Sequence, residues 1–335
     1  MGVAKTMADG VSIGVVILNW NDWKNAADCV RSVYASTYTN VRLLVVDNAS
    51  DDGSARALRD LFPELRLLQS GENRGWGGGN NDGLRLALGE GCDYVLLLNS
   101  DVMLAPDCIE RLVAGVVDEP DVAAVGCLVL SRKRPDWVEY GGSRVDPVSW
   151  FFNHVSCWLN ELPSDGGYES ASVKGCGMLV KRQAVENVGY FDEAYFLNFD
   201  ESDWTVRARE AGMELMIARD ARVYHLGAVS FGGTDTPLYR YFITRNMLRF
   251  AYSYLTRKQR LLTLRVGLWE FKNALFLMWF PRSAAGMRAR LIYAIVLAWR
   301  DFLFGRYGDC PTRVRTMNRK FCEVLAVWRG SSDNA

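Results

Sequence analysis

Residues 93–101 read DYVLLLNSD, an unbroken apolar run that closes on Asn99 and Asp101. A strand apolar on both faces belongs inside a sheet covered on both sides, the usual setting of parallel strands. Two earlier stretches repeat the pattern: VVILNW runs into Asn19-Trp20-Asn21, and VRLLVVDNAS ends in Asp47-Asn48-Ala49-Ser50. Each delivers polar groups at its carboxyl end, the edge where open α/β sheets bind ligands. Working outward, the pattern predicts helices over 22–34, 52–62, 80–88 and 106–117, each following a strand and a polar turn. Residues 11–130 therefore read as a βαβ nucleotide-binding half, and the chain as α/β with a Rossmann-like, mixed but mainly parallel sheet flanked by helices.

Composition bounds the rest. The chain has 335 residues, 49% of them apolar, enough to bury a large core in one large or two modest domains. Its eight cysteines form no CxxC pair. That scatter argues against a zinc site and for buried, inert thiols in a reducing compartment. The first ten residues, MGVAKTMADG, are polar and lack the apolar stretch of a secretory signal, so a disordered extension and a cytoplasmic location are expected.

Formal net charge is zero, with 39 Lys/Arg against 39 Asp/Glu, yet Tyr239 to Gly330 carries 18 basic and four acidic residues. Residues 11–238 are accordingly expected to form one domain, divided into 11–130 and 131–238, and 239–330 a basic, amphipathic helical extension. The stretch between 131 and 173, with Trp137, Trp150 and Trp158, reads as a long irregular segment of functional kind. In the extension, ALFLMWF at 274–280 and LIYAIVLAW at 291–299 fall short of the ~20 residues that span a bilayer. With Arg282, Arg288, Arg290, Arg300 and Arg306 around them, they predict contact with an anionic membrane surface; a helical pair with a solvated basic face is the plainer reading.

The phrases VILNWN, VVDNASDDGS, NRGWGGGNNDGL, LLLNSDV, GYFDEAYFLNFDESDWTVRAREAG and VYHLGAVS occur in that order over residues 11–250. Together they resemble the successive motifs of inverting glycosyltransferase family 2, on the GT-A fold, and within it bacterial rhamnosyltransferase-like members. The resemblance implies transfer of a sugar from a nucleoside-diphosphate donor to a hydroxyl of a glycan or lipid-linked saccharide in surface polysaccharide synthesis. L-rhamnose from dTDP-rhamnose is the first reading and a UDP-sugar the alternative.

The chemistry such a reaction needs can be assigned to residues. The leaving diphosphate calls for a divalent cation, Mn²⁺ or Mg²⁺, and Asp101 is the carboxylate placed to bind it. The family's DxD motif reads Asn99-Ser100-Asp101 here, so one acid is missing. By resemblance His225 completes the metal shell; a satisfied core histidine is the ordinary alternative. His154 is assigned nothing. The attacking hydroxyl needs a general base, and Glu201 aligns with the second acid of the family's pair, with Asp200 the other candidate. Asp203 is expected to pair with Arg207 one helical turn on. Asn19, Asp47, Asn73, Gly75, Trp76, Asn80 and Asn99 are expected around the donor nucleotide, the Gly75–Gly79 run letting the backbone approach ribose and phosphate. Gly175, Cys176 and Trp204, with Tyr195, are candidates on the acceptor side, core packing being the competing account of the aromatics.

Two other classes fit less well. A nucleotidyltransferase would need a basic phosphate loop near the amino end, which is absent. A non-catalytic binder of nucleotide sugar, membrane or nucleic acid would leave the acid cluster unexplained.

Overall fold

The computed structural model describes residues 10–116, 119–162, 166–226, 236–276 and 282–332. The polar extension, the last residues of ALFLMWF and the end of VYHLGAVS lie outside them. The chain divides into two compact units: Met1–Asp146, Phe151–Glu193 and Asp200–Gly227 form the first, and Pro147–Trp150, Ala194–Phe199 and Ala228–Ala335 the second.

The first unit opens as β1 (Ile13–Asn19), α1 (Trp23–Tyr34), β2 (Val41–Asp47), α2 (Ser54–Leu61), β3 (Arg66–Gln69), α3 (Gly75–Gly89) and β4 (Tyr94–Asn99). These strands pair in parallel in the order β3-β2-β1-β4, with Asn19 level with Asp47 and Leu18 level with Asn99. The three polar strand ends therefore share one edge, as their apolar bodies predicted. β5 (Val102–Leu104), α4 (Cys108–Ala114) and β6 (Val122–Ser131) follow. All ten residues of β6 are buried, which explains its lack of alternation.

The segment read as irregular instead contains short strands: β7 (Trp137–Tyr140), β8 (Ser143–Val145), β9 (Phe152–His154), β10 (Cys157–Trp158) and β11 (Gly167–Glu169). β12 (Met178–Lys181) then inserts antiparallel between β4 and β6, followed by α5 (Arg182–Val188), α6 (Asp200–Glu210) and β13 (Glu214–His225). β13 runs parallel to β6 and, at its end, antiparallel to β5, pairing His225 with Val102.

Helix α3 begins earlier than its sequence suggests. Glycine disfavours helix, so the pattern placed the start at Asn80. Tertiary packing overrides this: a Cβ at Gly79 would lie 2.4 Å from Leu18 and one at Gly83 2.3 Å from Val16. The glycines let the helix lie directly on β1.

The second unit contains α7 (Pro237–Tyr254), α8 (Arg257–Phe276), α9 (Arg282–Leu303) and α10 (Thr312–Ser332). Its core joins Phe196 to Leu238, Tyr241, Phe242, Ala294, Leu297 and Val314. In the segment 194–199, Phe196, Asn198 and Phe199 all have left-handed backbones, with φ of 68°, 64° and 72°. Each costs a non-glycine residue on the order of 1–3 kcal/mol, so surrounding bonds must impose it. They come from α7: buried Asn246 donates Nδ2–H to the carbonyls of Tyr195, Leu197 and Asn198 at 2.8, 2.7 and 3.0 Å. Arg245, also fully buried, donates to the Tyr195 carbonyl at 2.9 Å and that of Gly308 at 2.7 Å. Among the described residues no helix is long and apolar enough to cross a membrane.

Candidate active site

The site grows from the sheet edge. Asp47 is fully buried and its carboxylate accepts from Asn19 Nδ2 at 3.0 Å and from the Ser50 hydroxyl at 2.6 Å. Ser50 in turn accepts from the Asn21 amide at 2.9 Å. Asp47 therefore organises the turns after β1 and β2, and its carboxylate is engaged within them. The Oδ1 atom of Asn19 is buried with no partner among the described residues.

Asn48 extends the network to the amino end of α3. Its Nδ2 donates to the Gly75 carbonyl at 2.9 Å and Asn73 Oδ1 at 3.2 Å, while its Oδ1 accepts from the Arg74 amide at 2.9 Å. Trp76 then donates its indole N–H to Asn99 Oδ1 at 2.9 Å. Beneath that indole sits Gly175, where a Cβ would fall 1.9 Å from the ring. The Gly77 amide donates to Asp200 Oδ2 at 3.1 Å, and the Gly175 amide approaches Glu201 Oε1 at 3.4 Å. One helical turn thus ties the end of β4 to the acid pair opening α6. Asn80 is fully buried; its Nδ2 donates to the Trp76 carbonyl and its Oδ1 has no partner among the described residues.

The acid pair is polarised by burial. Asp200 is fully buried, which drives its carboxyl well above the usual range; the Glu201 charge adds to this, and N–H groups of Asp200 itself and Gly77 oppose it. Burial likewise raises Glu201, against N–H groups of Glu201 and Gly175 and the charge of Lys174. A carboxylate raised toward neutrality suits proton transfer better than an ordinary exposed one. Asp203 accepts from Arg207 at 2.9 Å, the expected contact one turn along the helix.

β-Sheet register closes the 124-residue gap between Asp101 and His225. Asp101 precedes Val102, the register partner of His225, and Nε2 of His225 lies 3.3 Å from Asp101 Oδ2. The other ring nitrogen, Nδ1, lies 2.8 Å from Oε2 of Glu139 on β7. Burial alone would lower the His225 pKa, but the two carboxylates outweigh it and the net shift is upward. Nearby Asp22 is raised by burial and, after the opposing Asn25 contact, by the charge of Asp101. Two carboxylates on one imidazole make a locally negative site of oxygen and nitrogen donors, a set that fits a divalent cation such as manganese. Among the described residues, no three acidic, histidine or cysteine side chains converge to hold a metal by themselves.

Sequence reasoning missed Glu139 and Lys174. Glu139 lies in the stretch read as irregular, and nothing local marks it. The structure also corrects the acceptor candidates. Trp204 is 1% exposed and donates its N–H to the Gly189 carbonyl at 2.9 Å, so it packs the core instead of offering a sugar platform. Cys176 is 4% exposed, its thiol pushed up to about 12 by burial. Tyr195 is buried within the second unit.

Residues 14–171 match the sequence pattern of Glycosyl transferase family 2. The chain is 27% identical over 237 residues to the N-acetylglucosaminyl-diphospho-decaprenol L-rhamnosyltransferase of Mycobacterium tuberculosis, covering 65% of this chain and 77% of that protein. It is 31% identical over 231 residues to the glucosyl-dolichyl phosphate glucuronosyltransferase of Haloferax volcanii, covering 64% and 68%. Among solved structures, GalNAc-T7 with UDP, GalNAc and Mn²⁺ superposes with a TM-score of 0.54 at 16% identity. That match covers 70% of this chain and spans about half, 47%, of the other.

Proposed function

The chain belongs to glycosyltransferase family 2, and from that premise we propose that it performs inverting transfer of a sugar from a nucleoside-diphosphate donor to a glycan or lipid-linked hydroxyl. The observation that carries the reading is the first turn of α3, where Trp76 bonds Asn99, two residues before Asp101, and Gly77 bonds Asp200, beside Glu201. In this reading one helical turn links the leaving-group side to the base side, as in-line displacement requires.

In this reading Glu201 takes the proton of the attacking hydroxyl. Asp200, closed off by burial, anchors the start of α6. Lys174 moderates the Glu201 pKa from the strand side. Asn19, Asn48, Asn73 and the turn organised by Asp47 border the nucleoside, with Asn80 behind them, and Gly75 brings α3 backbone close to the diphosphate. Asp101 and His225 would hold a divalent ion, which when bound neutralises charge on the leaving diphosphate. Because they are two ligands and not three, the ion is expected to be held tightly only together with the donor. A single base, with no nucleophile for a covalent intermediate assigned among the described residues, favours inversion.

The rhamnosyltransferase relative makes dTDP-L-rhamnose the first donor to try, and its lipid-diphosphate acceptor supports a lipid-linked saccharide here. A UDP-sugar is the alternative donor. A basic second unit fits peripheral work at the inner face of a bacterial cytoplasmic membrane. The test is thermal stabilisation by dTDP-, UDP- and GDP-sugars with and without Mn²⁺ or Mg²⁺. A metal-enhanced shift with one nucleotide supports the reading and fixes the donor; no shift with any of them turns it toward a non-catalytic binder.

A further inference from the structure

A cavity of about 550 Å³ opens on the second unit where the end of α9 and the start of α10 meet, lined by Arg300, Asp301, Arg306, Asp309 and Arg313 among others. Its carboxylates are already engaged. Asp301, 1% exposed, accepts from the Tyr241 hydroxyl at 2.8 Å and from Arg300 Nε at 2.7 Å. Asp309 accepts from Arg315 Nη2 at 2.6 Å.

Arg306 and Arg313 differ: neither has a carboxylate partner among the described residues. Arg306 lies 5.7 Å from the Phe304 ring centroid, and Arg313 reaches the Tyr293 hydroxyl at 3.2 Å. Two uncompensated guanidinium groups on one cavity present the planar donor forks that match phosphate oxygens. No acid occupies the first turn of α10, so the helix start adds to the positive potential.

Leu303 and Phe304 are each 70% exposed and lie in the chain between Arg300 and Arg306, two residues of the cavity wall. An adjacent aliphatic and aromatic pair gains little from a free phosphate or a polynucleotide backbone. It gains much from the acyl boundary of a lipid leaflet, where arginines at the same depth meet headgroup phosphates.

We propose that this cavity seats the phosphate headgroup of an anionic phospholipid, with Leu303 and Phe304 entering the leaflet. The inference rests on the peripheral location put forward above and names the surface responsible; it does not depend on sugar transfer.

The test is co-sedimentation of the full-length protein with phosphatidylcholine vesicles containing or lacking phosphatidylglycerol. Binding should need the anionic lipid, and the double variant R306A/R313A should lose roughly ten- to thirtyfold in affinity. L303S/F304S should weaken binding, and what remains should still depend on the anionic lipid. R257A/K258A, which removes two exposed charges elsewhere in the same unit, should lose far less. No binding to either vesicle, or equal losses from both charge-removing pairs, would overturn the proposal. So would competition by inorganic phosphate alone, or single-stranded DNA binding that needs the same arginines. A donor-induced thermal shift without vesicle binding sinks this inference and leaves the transferase reading standing; vesicle binding without any nucleotide response does the reverse.

Discussion

Glu139 and His225 are 86 residues apart and joined by a 2.8 Å contact from Oε2 to Nδ1, leaving Nε2 facing Asp101. A carboxylate on one ring nitrogen fixes the tautomer and the orientation of the other. Such partners typically change metal affinity by 10–100-fold. Glu139→Gln should therefore weaken Mn²⁺ binding in the presence of nucleotide by about tenfold. Titration calorimetry with and without nucleotide checks it, and a variant whose metal affinity stays unchanged would remove Glu139 from the site.

Asp101→Asn separates metal from nucleotide. The variant should keep whatever thermal shift a nucleoside diphosphate gives without metal and lose the increment that Mn²⁺ adds. A persistent increment would mean that the ion is held elsewhere.

Glu201→Gln should bind donor normally and turn over about 10²–10⁴-fold more slowly. Near-normal transfer would reject Glu201 as the base.

Asp200 carries a pH signature. Its folded pKa lies above its unfolded value, so the unfolded state ionises first as pH rises. Stability should fall from the ordinary carboxylate range up to the raised folded value and then level off; below the unfolded value the group contributes nothing. Asp200→Asn keeps an acceptor for the Gly77 amide and should flatten this part of the stability-versus-pH curve. An unchanged slope in urea titrations across that range would contradict the buried, raised carboxyl.

Gly175→Ala places a methyl where the Trp76 ring lies. Overpacking of this kind costs on the order of 1–3 kcal/mol and should also disturb the Trp76–Asn99 bond. Thermal denaturation together with Trp fluorescence reads both effects.

The strand ends were legible because a central parallel strand announces itself by an apolar run, and Asn19, Asp47, Asn99 and Asp101 all terminate such runs. Asp203–Arg207 was legible because helical spacing is local. Glu139 was not, because its partner is brought to it by three strands of sheet register. The glycines of α3 misled for a related reason: their cost to the helix is intrinsic, whereas the Leu18 and Val16 side chains that require them lie on another element. Trp204 shows the same limit, since an aromatic beside an acid cluster reads equally as platform or as packing until its burial is seen.

The left-handed turn before α6 also orders events in time. A ribosome makes Asp200 and Glu201 before Asn246, so an emerging chain carries both acids while the carbonyls of Tyr195, Leu197 and Asn198 still lack the donors that bend their segment. Three strained residues have no reason to hold their shape until α7 arrives. A message truncated between the codons for Glu201 and Asn246 would thus yield a chain that carries both acids but lacks the donor that holds the segment before them.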